Sequence, residues 1–460
     1  MKKWISLMLS MVLLLGLAAC SPSSTNTDTK KEDTKKEETQ KEETKKDEAK
    51  KEDGANASGQ ELTVWCWDPA FNIYAMEEAE KVYNQKNPDS PIKLNIVETP
   101  WADVQTKITA IGSSGQTEQM PDIFLMQDNA FKKNFQFYPD LFADLTDSGI
   151  DFSKFGQSKV AYSVVDGKNY GVPFDNGVVV GAFRVDLLAD AGFKPEDLKG
   201  ITWKRFIEIG EQVKAKTGKP MFGVTTGDPD MIMMTLQSCG ASLFKEDGSL
   251  NIEDNQVLKD AIAVYKEMVE KGIVQEANNW DEYVAGFTGG NVLGTINGCW
   301  ILASVQTSKD QAGKWVVVDM PRLYDNDAKS TNYANNGGSS WAITGTSQKK
   351  ELAAKFLNDT FAGSVEFYNT ILPSSGAIAT YLPAANTDAY KQPQKFFHQE
   401  QKVYEDIIEF SSHVPSNATG VFYYEAKEAV GTALVGIVKG DDIDKGLKAA
   451  SDEVKFKMGQ

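Results

Sequence analysis

The sequence predicts an α/β protein built as two lobes. Three observations carry that expectation. The chain has 460 residues, 41% of them hydrophobic, which is more than one hydrophobic core usually holds. The body opens with strand-like and helix-like segments in alternation, the rhythm of a mostly parallel sheet. In the middle of the chain the rhythm changes to helices with short strands between them.

The elements follow in order. Glu61 to Asp68 alternates in polarity and carries β-formers, so it reads as a strand. Tyr74 to Gln85 has helical spacing, Pro91 to Val97 is a second strand, and Trp101 to Ile111 is a second helix. Asp122 to Met126 is a short apolar strand after the Met120-Pro121 break. Trp203 to Lys216, Gln256 to Lys271 and Asp281 to Phe287 are helical, with short strands near Met221, Val292 and Val316. Helices from Val421 to Val438 and from Ile443 to Lys455 close the chain.

The ends and the charge narrow the class. A net charge of −17 repels phosphate backbones, which argues against a nucleic-acid partner. Lys2 and Lys3 precede an apolar run from Ile5 to Leu17, too short for a comfortable membrane span but suited to an export signal. Leu17-Ala-Ala-Cys20 resembles the bacterial lipobox. That resemblance implies a signal over residues 1–19 and a lipid on the Cys20 thiol. Cys66, Cys239 and Cys299 remain, an odd set without disulfide spacing, and are expected to be buried free thiols. Asp28 to Asp53 is a Lys/Glu-rich repeat whose one apolar residue is Ala49, so it has no hydrophobic face to bury. Residues 20–59 therefore read as an anchored tether. Its opposite charges nearly cancel, which leaves lipid as the link to the membrane.

From about Glu61 to Met458 the chain resembles the extracellular solute-binding proteins of ABC sugar importers, the maltose-binding-protein-like group. Leu62-Thr-Val-Trp-Cys-Trp67 matches the opening strand, and Met120-Pro-Asp-Ile-Phe-Leu-Met-Gln-Asp128 the third strand with its loop. Tyr170-Gly-Val-Pro-Phe-Asp175, with Val178 to Phe183 and Arg184-Val-Asp-Leu-Leu behind it, matches the first hinge crossing. Ile201-Thr-Trp-Lys-Arg-Phe206 matches a helix start, and Gly294-Thr-Ile-Asn-Gly-Cys-Trp300 the segment that ends in a tryptophan. Gly337-Gly-Ser-Ser-Trp-Ala-Ile343 followed by Ser347 to Leu357 matches the return crossing. The resemblance implies two hinged α/β lobes with ligand between them. It places one lobe at 60–176 plus about 337–385, and the other at about 177–336 plus 386–460. It also implies a sugar ligand, permease subunits on separate chains, a monomer, and a site on the outer face of the membrane of a Gram-positive type cell.

A sugar ring offers apolar C–H faces and a rim of hydroxyls, so its site needs flat aromatics and charged or amide acceptors. Trp67 and Asp68 stand at the C-terminal edge of the first strand, where open α/β sheets collect ligands. Asp128 stands likewise after the third strand, and the resemblance gives it a hydroxyl-binding role. For Asp68 and Asp128 a helix cap is the open alternative. Asp175 and Asn176 fall at the hinge, where Asp-Asn-Gly is also turn chemistry. Trp300 matches a stacking tryptophan, with burial in the core as the rival reading. Tyr423 holds the place of a family stacking aromatic. Trp280 lies in a polar stretch and joins the candidates on that ground alone. Trp65, Trp203 and Trp341 are expected to be structural. The number of aromatics favours two or more sugar rings.

No cofactor and no metal are expected: His398 and His413 have no ligand cluster near them, and the acidic runs around Asp325 and Asp442 lack a calcium-loop pattern. A secreted glycosidase would need a carboxylate pair, which no motif singles out. A surface adhesin would share the anchor and tether without needing ordered hinge crossings.

Overall fold

The computed structural model describes residues 60–460 except 327 and 417. The signal segment, Cys20 and the Lys/Glu-rich tether lie outside the described residues.

Three strands open the body: β1 (Gln60–Cys66), β2 (Ile92–Glu98) and β3 (Ile123–Gln127). β1 lies between the other two and runs parallel to both. Leu62, Val64 and Cys66 enter one apolar core and Trp65 another, as the two-residue period of a strand requires. A helix therefore covers each face. The Tyr74–Lys86 helix buries Ala75, Met76, Ala79, Val82 and Tyr83 on one side. The Trp101–Ser114 helix buries Val104, Ile108 and Ile111, spaced for one helical stripe, and stops at the left-handed Gly115.

A small hairpin of β4 (Val164–Val165) and β5 (Lys168–Asn169) turns at Asp166-Gly167, both with positive φ. Then β6 (Val172–Arg184) crosses the molecule. It is followed by β7 (Phe222–Thr225), β8 (Val274–Ala277), β9 (Gly294–Gly298), β10 (Trp315–Val318) and β11 (Asn335–Ile343). The sheet order is β2-β1-β3-β11-β6-β9-β7-β8, with β10 also paired to β6.

The two-lobed architecture is written in β6. Its first half pairs with β11, which leads to β3 and the opening strands. Its second half pairs with β9 and β10, which lead to the other lobe. A separate core forms there around Phe183, Phe206, Phe222 and Met231. The Trp203–Thr217 and Gln256–Glu270 helices pack into it, each started by a side-chain cap, Thr202 and Asn255. The Tyr423–Val438 and Ile443–Lys457 helices complete it.

The sheet is less parallel than the sequence suggests. The outer strands are parallel in each lobe, but β6 and β11 run antiparallel to their neighbours. Strand direction is set by where the chain returns, and β11 returns more than a hundred residues after β6. Trp203 and Trp341 are fully buried and Trp65 nearly so, as expected of structural residues. Cys66 and Cys299 are buried, Cys239 is half-buried, and all three are free.

The crossing is tight. A β-carbon at Gly177 would run into the carbonyl of Asn336, on β11. Gly337 and Gly338 take positive φ, where the register between β11 and β6 slips. Gly177→Ala is expected to destabilise the body by roughly 1–3 kcal/mol, because backbone has to shift to admit the methyl. Chemical denaturation monitored by tryptophan fluorescence measures it; an unchanged midpoint would remove the crossing as a constraint.

Candidate functional site

The crossing strands bring buried carboxylates together. Asp128 begins the turn after β3 and is buried. It does not cap that turn. One oxygen takes the Lys159 ammonium, and the other accepts the Ser340 hydroxyl at 3.1 Å. Gly338 makes room for this pair, since a β-carbon there would sit 2.7 Å from the Asp128 carboxylate. Asp175 is not a turn residue either. It lies inside β6, buried, and accepts the backbone N–H of Ser339 at 2.9 Å and the Ser339 hydroxyl. Beside it, Asn176 is half-buried, and its carbonyl accepts the Cys299 thiol at 3.3 Å.

Trp67 and Asp68 lie at the edge of β1. Asp68 is the cap of the Pro69–Ile73 turn, accepting from the backbone N–H groups of Ala70 and Phe71 at 2.9 and 3.1 Å. Asn72 accepts the backbone N–H of Trp67 and of Asp68, which fixes the direction in which Trp67 leaves the strand. The Trp67 ring sits 5.5 Å from Trp101, and Trp101 sits 5.7 Å from Tyr424. This row of rings joins the opening lobe to the start of the Tyr423–Val438 helix.

The second lobe supplies a matching wall. Trp300 follows β9, and its indole N–H donates to the Asn336 carbonyl at 3.0 Å. Trp280 stands 5.8 Å from Trp300 and is 40% exposed, unusual for a tryptophan and open to a ligand face. The Asn336 side chain donates to Asp230 at 2.9 Å and to Asn297 at 2.8 Å. Asp230 and Asp228 both face Lys427, one helical turn beyond Tyr423. Tyr423 is half-buried at the helix start, 5.3 Å from Tyr424. On the far side, Asp68, Pro69 and Ala70 face Trp280, Val284 and Thr288 across a pocket of about 330 Å³.

Burial governs the electrostatics. It pushes the Asp128 carboxyl up to about 6, against the pull of Lys159. It raises Asp175 as well, again opposed by Lys159. In the other lobe burial and the neighbouring Asp230 raise Asp228, while burial of Asp230 is outweighed by Lys427 together with hydrogen bonds from Asn336 and Asp228, which hold it low. Burial pushes the Tyr423 hydroxyl up to about 12, so it stays a neutral donor. Asp128, Asp175, Asp228 and Asp230 outnumber Lys159 and Lys427, so the walls favour a neutral ligand over an anion.

Of the residues expected at a site, Trp280 and Trp300 meet each other, Trp67 meets Trp101, Tyr423 meets Tyr424, and Asp128 is held by Lys159. Asp68 is both a cap and a lining residue of the pocket beside Trp280, and Asp175 and Asn176 belong to the crossing strands. Sequence reasoning missed Trp101, Lys159, Asp228, Asp230, Tyr424 and Lys427. Trp101 and Tyr424 were visible only as members of helices. The ion pairs join residues far apart in the chain, and no local pattern announces them. The buried Trp101 indole N–H and the side-chain oxygens of Asn129 and Asn335, next to Asp128 and Asn336, have no protein partner. Hydroxyl groups would satisfy them. Among the described residues no cluster of His, Cys, Asp and Glu is arranged to hold a metal ion.

Two hinged α/β lobes with a cleft between them have the architecture of solute-binding receptors. Residues 78–398 match the family described as bacterial extracellular solute-binding protein, and the chain belongs to that family. It is 40% identical over 393 residues to a lactose-binding protein of Rhizobium radiobacter, covering 85% of this chain and 92% of that one. It is 28% identical over 308 residues to an arabinooligosaccharide-binding protein of Halalkalibacterium halodurans, covering 65% of this chain and 66% of the other. Its fold is similar to the ABC-transporter-associated binding protein from B. animalis subsp. lactis Bl-04 in complex with beta-1,6-galactobiose, with a TM-score of 0.74 at 19% identity over 87% of this chain and 98% of that one. The family match gives the chain a solute-binding role rather than that of a glycosidase or an adhesin.

The Asp128 carboxyl gives a pH prediction. Its value in the fold lies above the ordinary 3.8, at about 6, so between these values the folded chain holds more proton than the unfolded one. Its contribution to stability is complete below the ordinary value and is lost as pH rises through about 6. Relative to Asp128→Asn, the wild type is expected to lose on the order of 3 kcal/mol between about pH 4 and 7. Parallel denaturation curves across that range measure the difference; parallel pH profiles for the two proteins would reject the shift.

Proposed function

We propose that the chain captures a short neutral oligosaccharide outside the cell and hands it to permease subunits on separate chains. The observation that carries the proposal is the two ring pairs, Trp67 with Trp101 and Trp280 with Trp300, together with the buried Asp128 and the half-buried Asn336 that holds Trp300. Flat rings stack on C–H faces, and carboxylate and amide groups take the hydroxyl rim. Trp67, Trp280, Trp300 and Tyr423 are assigned to stacking and Asp128 to hydroxyl contact. Asp68 orients Trp67, while Asp175 and Asn176 hold the crossing strands. Residues 60–176 with about 337–385, and about 177–336 with 386–460, are assigned to the two lobes. Sugar contacting both lobes stabilises the closed state through the difference in contacts between closed and open forms.

The names of the relatives direct the ligand search to lactose and to arabinooligosaccharides. Calorimetry with each is expected to show stoichiometric binding without product. Trp300→Ala and Asp128→Ala are each expected to weaken the binding by about tenfold or more, roughly 1.4 kcal/mol. Unchanged affinity in both folded variants would discard the site.

The protein acts as a monomer tethered by lipid on Cys20, with residues 20–59 as the spacer, on the outer face of a Gram-positive type membrane. Two or three acyl chains hold such an anchor, whereas one alone is marginal. Cys20→Ser is expected to shift the protein from the membrane fraction to the medium. Retention in the membrane fraction would count against the anchor.

A further inference from the structure

We propose that the first turn of the Tyr423–Val438 helix is a clasp that shuts one end of the cleft and limits the ligand to a short chain; this rests on the sugar-binding reading above. The helix belongs to the second lobe, burying Ala426, Ala429, Val430, Leu434 and Ile437 in that core. Its start, however, grips the first lobe. The Tyr424 hydroxyl donates to Gln127 at the end of β3. The Glu425 carboxylate pairs with Lys133, on the Phe131–Phe137 helix that follows β3. The Phe422 ring meets Phe137 edge-on at 6.1 Å, and the Lys133 ammonium lies 5.9 Å from the Phe422 ring centre.

These contacts run directly from lobe to lobe, with no ligand-sized gap between the groups that meet. The Lys133 and Glu425 side chains are 29% and 15% exposed, sheltered enough to resist screening by salt. The other end differs. There Asp68 and Pro69 stand off from Trp280 and Thr288 across the pocket of about 330 Å³, within the size range of ligand sites. A bound sugar chain therefore grows toward Asp68 and Trp280. Growth the other way has to part the Lys133–Glu425 pair and the Tyr424–Gln127 hydrogen bond, which discriminates against the longer ligand.

The test uses Lys133→Glu, Glu425→Lys and the double swap, in the mature protein. Calorimetry is run with lactose and with lactose lengthened by one and by two galactosyl units. The wild type is expected to bind the longest of these at least about tenfold more weakly than lactose. Each single variant should lose that discrimination to within about threefold and keep its affinity for lactose. The double swap, with the pair restored in reverse, should recover it. Equal wild-type affinity along the ladder, or undiminished discrimination in both single variants, would overturn the clasp. If no member of the ladder binds, the choice of galactosides fails, and scattering of the ligand-free proteins then decides the clasp. Larger radii of gyration in both single variants, reversed in the double swap, support it. Identical curves overturn it.

Discussion

The close crossing of β6 and β11 is the constraint on which the rest of the molecule depends. β6 is one continuous strand shared by both lobes, and β11 lies against its first half. The two backbones approach so closely at Gly177 and Asn336 that a methyl group has no place there. Asp175 then ties the strands through Ser339, and Gly338 lets the Asp128–Lys159 pair sit against β11. A hinge built this way is thin in backbone and rich in buried polar bonds. It joins the lobes through backbone pairing along β6.

The cleft chemistry follows from that geometry. Asp128 and Asp175 are polar groups out of water, and their cost is met by Lys159, Ser339 and Ser340. Asp230 and Asn336 repeat the arrangement on the opposite wall with Lys427 and Asn297. Each set of polar groups is therefore held in place by its own protein partners. The rings stand on short turns fixed by their own caps. Asp68 and Asn72 orient Trp67, and the Asn336 carbonyl orients Trp300.

Ring contacts also run from one lobe to the other. Trp101 and Tyr424 make this plain, because they come from different lobes and still meet at 5.7 Å. The excess of carboxylates over lysines adds a selection by charge that is independent of shape.

The local order of elements was legible in the sequence because it is a local property. The alternation of Glu61 to Asp68, the helical stripe of Val104, Ile108 and Ile111, and the buried character of Trp203 and Trp341 all follow from period and residue type. Trp67, Trp280 and Trp300 were candidates from the sequence because of their residue type and the segments in which they stand. Tertiary structure alone decided the roles of the carboxylates. Asp68 proved to be a cap, Asp175 a strand tie and Asp128 half of a buried ion pair. It also decided that Asp230 meets Lys427 and that Trp101 meets Tyr424. The physical reason is one of range. Propensity and periodicity act over a few residues, whereas an ion pair or ring contact between lobes depends on where β6 and β11 bring distant parts of the chain back together.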